Sequence, residues 1–280
     1  MKKYFLLLSL LLLSAAGYAG ELRIVSLSPA VTDAIIEIGG AEFLCGRSRV
    51  CNAPGTQKIP VAGDMGLPAT EKILRLKATH IICDSRHPGG NWKFLEKCGI
   101  KTIFLPGEKI ADFPANIRYL GKLCNRQSAA DAAAGKFEQK ISELKRSIPV
   151  RRPKVLAVLS VSPVISCGAG SFINEALQIA GAENICRQQK RSYFTLSAEH
   201  IIKSAPEYII IAGVPETLVT RYFQRPEFRN LPAVKRQNFI AVAPDEFCRS
   251  GIRLPEAIRK LQIQLSRKAV SPGPASHSLR

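Results

Sequence analysis

Apolar positions along the chain alternate between short β-branched runs and stretches with helical spacing. Arg23-Ile-Val-Ser-Leu27 predicts a strand. Ser28 follows as N-cap with Pro29 at the first helical position, then Ala30–Ile38 as helix and Gly39-Gly40 as its stop. Thr70–Ala78 predicts a second helix, leading into the strand Ile81-Ile82-Cys83. A short helix, Trp92–Cys98, ends at Gly99 before a strand at Lys101–Leu105. Strand and helix in this rhythm predict a parallel sheet covered on both faces, an α/β lobe.

A different element occupies the middle. From Ser128 to Ile148 the chain is rich in Ala, Lys, Glu and Gln, with apolar residues at Ala130, Ala133, Phe137, Ile141, Leu144 and Ile148. About twenty residues of helix span ~30 Å, the width of a small domain, so this segment is either one more core helix or a rod joining two lobes. Pro149 and Pro153 stop it. Beyond them the alternation restarts, with a strand at Lys154–Ser160, Ser162-Pro163, and a helix at Ser171–Ala180 ended by Gly181.

The two halves share a pattern. Glu71-Lys-Ile-Leu-Arg-Leu-Lys-Ala-Thr-His-Ile-Ile82 and Glu199-His-Ile-Ile-Lys-Ser-Ala-Pro-Glu-Tyr-Ile-Ile210 align without a gap. Each opens on a Glu and closes on an Ile-Ile strand, with Thr70 or Ser197 upstream as a candidate cap. The Leu27-Ser28-Pro29 and Val161-Ser162-Pro163 segments read as a second shared feature. A helix-to-strand unit repeated on either side of a long helix predicts two similar Rossmann-like lobes.

The N-terminus alters the picture of where such a protein works. Lys2 and Lys3 precede an apolar run, Phe5–Leu13, and small residues follow, with Gly17 and Ala19 at signal-peptidase positions. Nine residues span only ~14 Å as a helix, too short for a bilayer core. The division expected is a signal peptide at 1–19, an N-terminal lobe at 20–127, a bridging helix at 128–148, a C-terminal lobe at 149–268 and a disordered tail at 269–280. Export to the periplasm puts all eight cysteines where they can pair, or where they serve as small apolar core residues. No Cys/His spacing suits a zinc site.

Among the 280 residues, 40 Lys and Arg against 22 Asp and Glu give a net charge of +18. The basic residues are dispersed without aromatic interleaving, so nucleic acid is not the expected partner. A basic surface near an anionic membrane, or attraction to an anionic ligand, accounts for the charge better.

Arg23-Ile-Val-Ser-Leu-Ser-Pro-Ala-Val-Thr32 with Gly39, the Glu71–Ile82 unit, Asn174-x-x-Leu177 with Ala180-Gly-Ala-Glu-Asn184, and Ser197-x-Glu199 resemble periplasmic binding proteins of the cobalamin, haem and ferric-siderophore type. The resemblance covers roughly residues 22–265. It implies two α/β lobes bridged by one helix, a metal chelate held between them, and delivery to an inner-membrane ABC permease with its ATPase by a monomeric carrier. It also implies that Glu71 and Glu199 pair with permease arginines. Cys45-Gly46 with Cys51-Asn52-Ala53-Pro54 is most similar to the cobalamin subgroup, although Val50 stands where an aromatic is common and Met65 where Trp is frequent. Arg249 corresponds to a lobe-two arginine of the relatives.

The expected ligand is therefore a corrinoid, with haem or a ferric siderophore as the alternative. The candidate contacts are Ser28, Pro29, Val50, Met65, His87, Tyr193, Phe194 and Arg249, with His87 also a candidate ligand for haem iron or cobalt. No catalytic residue, resident metal or catalytic cofactor is expected. Gly168-Ala-Gly170 lacks the third glycine of a dinucleotide fingerprint and no acidic residue follows at the required distance, so a helix-start loop explains it better than an oxidoreductase does.

Overall fold

Strand β1 (Ile24–Ser26) is inaccessible along its whole length because it pairs on both sides, in parallel, with β2 (Leu44–Ser48) and with β5 (His80–Cys83). Outside them lie β3 (Val61–Asp64), the antiparallel β4 (Leu67–Pro68) and, at the other edge, β6 (Lys101–Phe104). The sheet order is β4-β3-β2-β1-β5-β6. In this computed structural model the residues described are 21–84, 87–249 and 251–270. The expected signal peptide, and the tail from Ser271 onwards, lie outside the described residues.

Helices α1 (Pro29–Glu37), α2 (Thr70–Arg75) and α3 (Trp92–Lys97) start as expected from the sequence. Helix α2 stops short of Ala78 because Lys77 takes a left-handed conformation, φ 50°. Gly39 and Gly99, at φ 73° and 85°, end α1 and α3, where a side chain would be strained. Helix α4 (Asp112–Leu123) completes the first lobe and packs along the next helix.

That next helix, α5, runs from Gln127 to Arg146. Its buried face divides along its length. Ala130, Ala133 and Ala134 join the first lobe's core, whereas Phe137, Ile141 and Leu144 join the second's. Twenty residues at 1.5 Å rise carry the chain ~30 Å from one core to the other.

The second lobe repeats the first with an insertion. Its main sheet holds β7 (Lys154–Val158), β10 (Glu183–Asn184), β12 (Tyr208–Ile211) and β13 (Phe239–Ala241), all parallel, in the order β10-β7-β12-β13. Strand for strand this matches β2-β1-β5-β6. The aligned units fall at equivalent places, because α2 precedes β5 and α7 (Ala198–Ser204) precedes β12, with His80 and Tyr208 as first strand residues. Ser197 caps α7 by accepting from the His200 N–H at 3.2 Å, whereas Thr70 is the first helical residue of α2 and caps nothing.

The shared Ser-Pro reading needs correction. Ser28-Pro29 opens a helix, but Ser162-Pro163 is the turn between β8 (Ser160–Val161) and β9 (Val164–Cys167), an antiparallel pair to which β11 (Tyr193–Thr195) adds. Strand β7 therefore ends at Val158, and the counterpart of Ser28 is Ser171, which caps α6 (Phe172–Ile179) by accepting from the Ile173 N–H at 3.1 Å. The remaining helices are α8 (Glu216–Phe223), α9 (Pro232–Lys235), α10 (Pro244–Phe247) and α11 (Leu254–Val270). Helix α11 runs two residues past the expected lobe end at 268, its apolar stripe buried at Ile258, Leu261 and Leu265. None of the eight cysteines forms a disulfide with another, and most of them are buried, which fits their reading as small apolar residues.

Candidate functional site

The carboxyl ends of β1, β5 and β6 in the first lobe approach the start of α6, strand β11 and the segment after α10 in the second. A cavity of about 250 Å³ lies between them. The first lobe supplies Pro29, Met65, Asp84 and Glu108; the second supplies Ser171, Phe172, Ser192, Tyr193, Cys248 and Arg249. Ligands of open parallel sheets bind at such strand ends, because loops and helix N-termini converge there.

Four of the expected ligand contacts line this cavity: Pro29, Met65, Tyr193 and Arg249. Met65 and Tyr193 are 55% and 48% exposed, large side chains held out into open space from opposite lobes. Ser28 lies directly beneath, fully buried, and its hydroxyl donates to Asp84 Oδ2 at 2.6 Å. It therefore aims a lining carboxylate and does not touch open space itself. Val50 contributes its carbonyl, which accepts from Arg249 at 3.0 Å at the cavity rim.

Two expected contacts are placed elsewhere. Phe194 follows Tyr193 on β11, so the strand's alternation turns it to the opposite face, where it packs on the second lobe's core. His87 is exposed outside the cavity lining; its Nδ1 accepts from the Gly89 N–H and its carbonyl from the Trp92 indole, both at 3.1 Å. It serves its own turn.

Other lining residues had a sequence signal that was read differently. The Gly168–Ser171 loop is joined to the chain before β11, with Ala169 N–H donating to the Gln189 carbonyl at 2.7 Å and Ser192 Oγ to the Gly170 carbonyl at 3.0 Å. A Cβ on Gly170 would stand 2.6 Å from the Lys190 carbonyl oxygen, so the glycine permits a close backbone approach that places Tyr193. Asp84 and Glu108 follow β5 and β6 and carry no motif of their own.

Among the described lining residues Arg249 is the one cation, and its guanidinium is engaged. It contacts Asp245 at 2.6 Å and donates to Asn52 Oδ1 at 2.7 Å. Asp84 and Glu108 are the carboxylates of the same lining. Burial pushes the Cys248 thiol up to about 12, so it faces the cavity as a neutral thiol at neutral pH. Alkylation should accordingly be slow at Cys248 and fast at the exposed Cys98 near pH 8, with the Cys248 rate still climbing up to about pH 11. Mass spectrometry of iodoacetamide-treated protein would read both; equal rates at pH 8 would contradict the assignment.

Glu71 and Glu199 lie outside the cavity. Each occupies the second position of its helix, α2 or α7, and each is exposed. Among the described residues neither makes an ion pair.

A profile of the family described as periplasmic binding protein matches residues 24–246. The chain belongs to this family. It is 29% identical over 273 residues to a vitamin B12-binding protein of Pectobacterium carotovorum, covering 95% of both chains. It is 27% identical over 177 residues to the high-affinity heme uptake system protein IsdE of Staphylococcus aureus, covering 61% of this chain and 60% of that one. The periplasmic vitamin B12-binding protein BtuF of Vibrio cholerae superposes with a TM-score of 0.78 at 21% identity, covering 89% of this chain and 98% of that chain. The periplasmic heme-binding protein RhuT of Roseiflexus gives 0.80 at 20% identity, covering 89% and 100%. Members of this family are solute-binding proteins, not enzymes, and the two-lobed α/β fold is theirs.

Proposed function

We propose that the chain is an exported carrier that takes a corrinoid, a cobalamin-type chelate, into the cavity between its lobes and hands it to an inner-membrane ABC permease driven by an ATPase. Residues 1–19 direct its export to the periplasm, and it works as a monomer. The observation that carries the choice of ligand is the polar make-up of the lining: the hydroxyls of Ser171 and Ser192 and the carboxylate of Glu108, with one arginine, already paired with Asp245. A corrin edge is fringed with neutral carboxamides, which use acceptors such as Glu108 and hydroxyls such as Ser171 and Ser192. Haem brings two carboxylates, and the one arginine of the described lining is already paired. The end-to-end match to vitamin B12-binding proteins supports the same reading.

One observation favours a second reading. Met65 offers a thioether and Tyr193 a phenol from opposite lobes, and both groups are known axial ligands of haem iron. The absorption spectrum separates the two. Titration of the purified protein with cyanocobalamin, cobinamide and haemin should give sub-micromolar binding of a corrinoid, about −8 kcal/mol or better. Tighter binding of haemin, with a shifted Soret band, would replace the first reading by the second.

Within the cavity, Tyr193→Ala should weaken corrinoid binding by ~1–3 kcal/mol through loss of an aromatic face. Phe194→Ala should leave affinity unchanged and lower stability instead, because its ring packs into the lobe. Calorimetric titration of both variants, with their melting curves, would expose a reversed assignment.

A further inference from the structure

The second lobe reaches across the cleft at two places close in sequence. In the first, the Asn52 amide closes a ring with Asp245 and Arg249. Its Nδ2 donates to Asp245 Oδ2 at 2.6 Å, its Oδ1 accepts from Arg249 at 2.7 Å, and Arg249 and Asp245 pair with each other at 2.6 Å. Arg249 also donates to the Val50 carbonyl at 3.0 Å. In the second, Arg253 pairs at 2.6 Å with Asp33 on α1, a carboxylate with 9% of its side chain accessible. Ile252, beside Arg253, packs onto the first lobe's core, and Gly251 lies against Ala30. Residues of the second lobe are thus anchored in the first by an apolar contact flanked by two polar ones.

The helix α5 joins the lobes end to end, and Ile110 and Phe113 of the first lobe also pack into the second core. Ile252 and Arg253 lie next to that helix, beside Ala133 and Phe137, and the Asn52 ring adds a second tie at the cavity rim. We propose that Asn52, Asp245 and Arg249, with Arg253 and Asp33, form a strap that sets the spacing of the lobes before ligand arrives, Asn52 being its positioning residue. Asn52 orients both charged partners at once, which neither Ala nor Asp can do: Ala offers no hydrogen bond, and Asp repels Asp245. Arg249 is then a structural closure at the cavity's rim first and a ligand contact only when the strap opens.

The proposal rests on the cleft being the ligand site, but the strap itself is testable without ligand. A donor–acceptor fluorophore pair, attached through unnatural amino acids at the exposed positions Leu74 and Ile202, reports lobe spacing in the ligand-free protein. The wild type should give one narrow distance distribution. Asn52→Ala and Asn52→Asp should each broaden it, because each breaks the contacts that Asn52 makes across the cleft. Asn52 is exposed, so these variants should keep the wild-type circular dichroism spectrum. Dissociation of bound cyanocobalamin should quicken roughly tenfold in Asn52→Ala. Distributions in both variants identical to the wild type would overturn the strap. Failure of cyanocobalamin to bind at all would instead count against the proposed ligand, leaving the distance result to stand by itself.

Discussion

Replacing Glu71 and Glu199 together by Arg should cut uptake by intact cells more than tenfold while leaving ligand affinity and melting temperature nearly unchanged. The two carboxylates hold the same position in repeated units, Glu71 on α2 before β5 and Glu199 on α7 before β12. Both are exposed in a first helical turn, where a negative charge is favoured by the helix dipole and costs nothing to present. A permease of matching two-fold character would grip both through arginines, which bind carboxylates in a bidentate fork. Each exposed pair contributes only ~0–1 kcal/mol, so removing one charge should show a partial defect. Reversing both would place like charges against such arginines at two points. Normal uptake by the double variant would reduce both residues to helix-start carboxylates, and loss of ligand binding would show that they act on the cleft.

Phe137→Ala should lower stability by ~3–5 kcal/mol, a fall in Tm of roughly 6–20 °C. Phe137 is 3% exposed on α5, at the point where that helix passes into the second core. Its ring meets Phe113 of α4 edge-on at 5.9 Å, and Phe113 meets Phe172 at 5.6 Å. Phe172 lines the cavity between the lobes, so this row of three rings connects that cavity to the bridging helix and to the first lobe. Truncating its far member leaves a void that neither lobe can close alone. Differential scanning calorimetry would measure the effect; a change within 2 °C would mean that the rings are not mechanically linked.

The features legible in the sequence were those with enough residues to show a period or a repeat. The long helix was visible because six apolar residues recur at helical spacing, and the two-lobe plan because Glu71–Ile82 and Glu199–Ile210 align. The small antiparallel sheet was not legible. Strands β8, β9 and β11 have two to four residues each, too few to display alternation, and Ser162-Pro163 resembled a helix start. That same gap hid the facing of Phe194, since which neighbour points into the cleft depends on the register with β9. Arg249 was singled out as a polar contact, but its tie to Asn52 joins residues 197 positions apart, a pairing only the packed lobes reveal.

The most direct test of the central claim is a crystal structure of the protein with cyanocobalamin. The corrin should lie between Met65 of the first lobe and Tyr193 of the second, with its carboxamide edge near Glu108, Ser171 and Ser192. A chelate found on an outer face of either lobe, with the cleft empty, would contradict it.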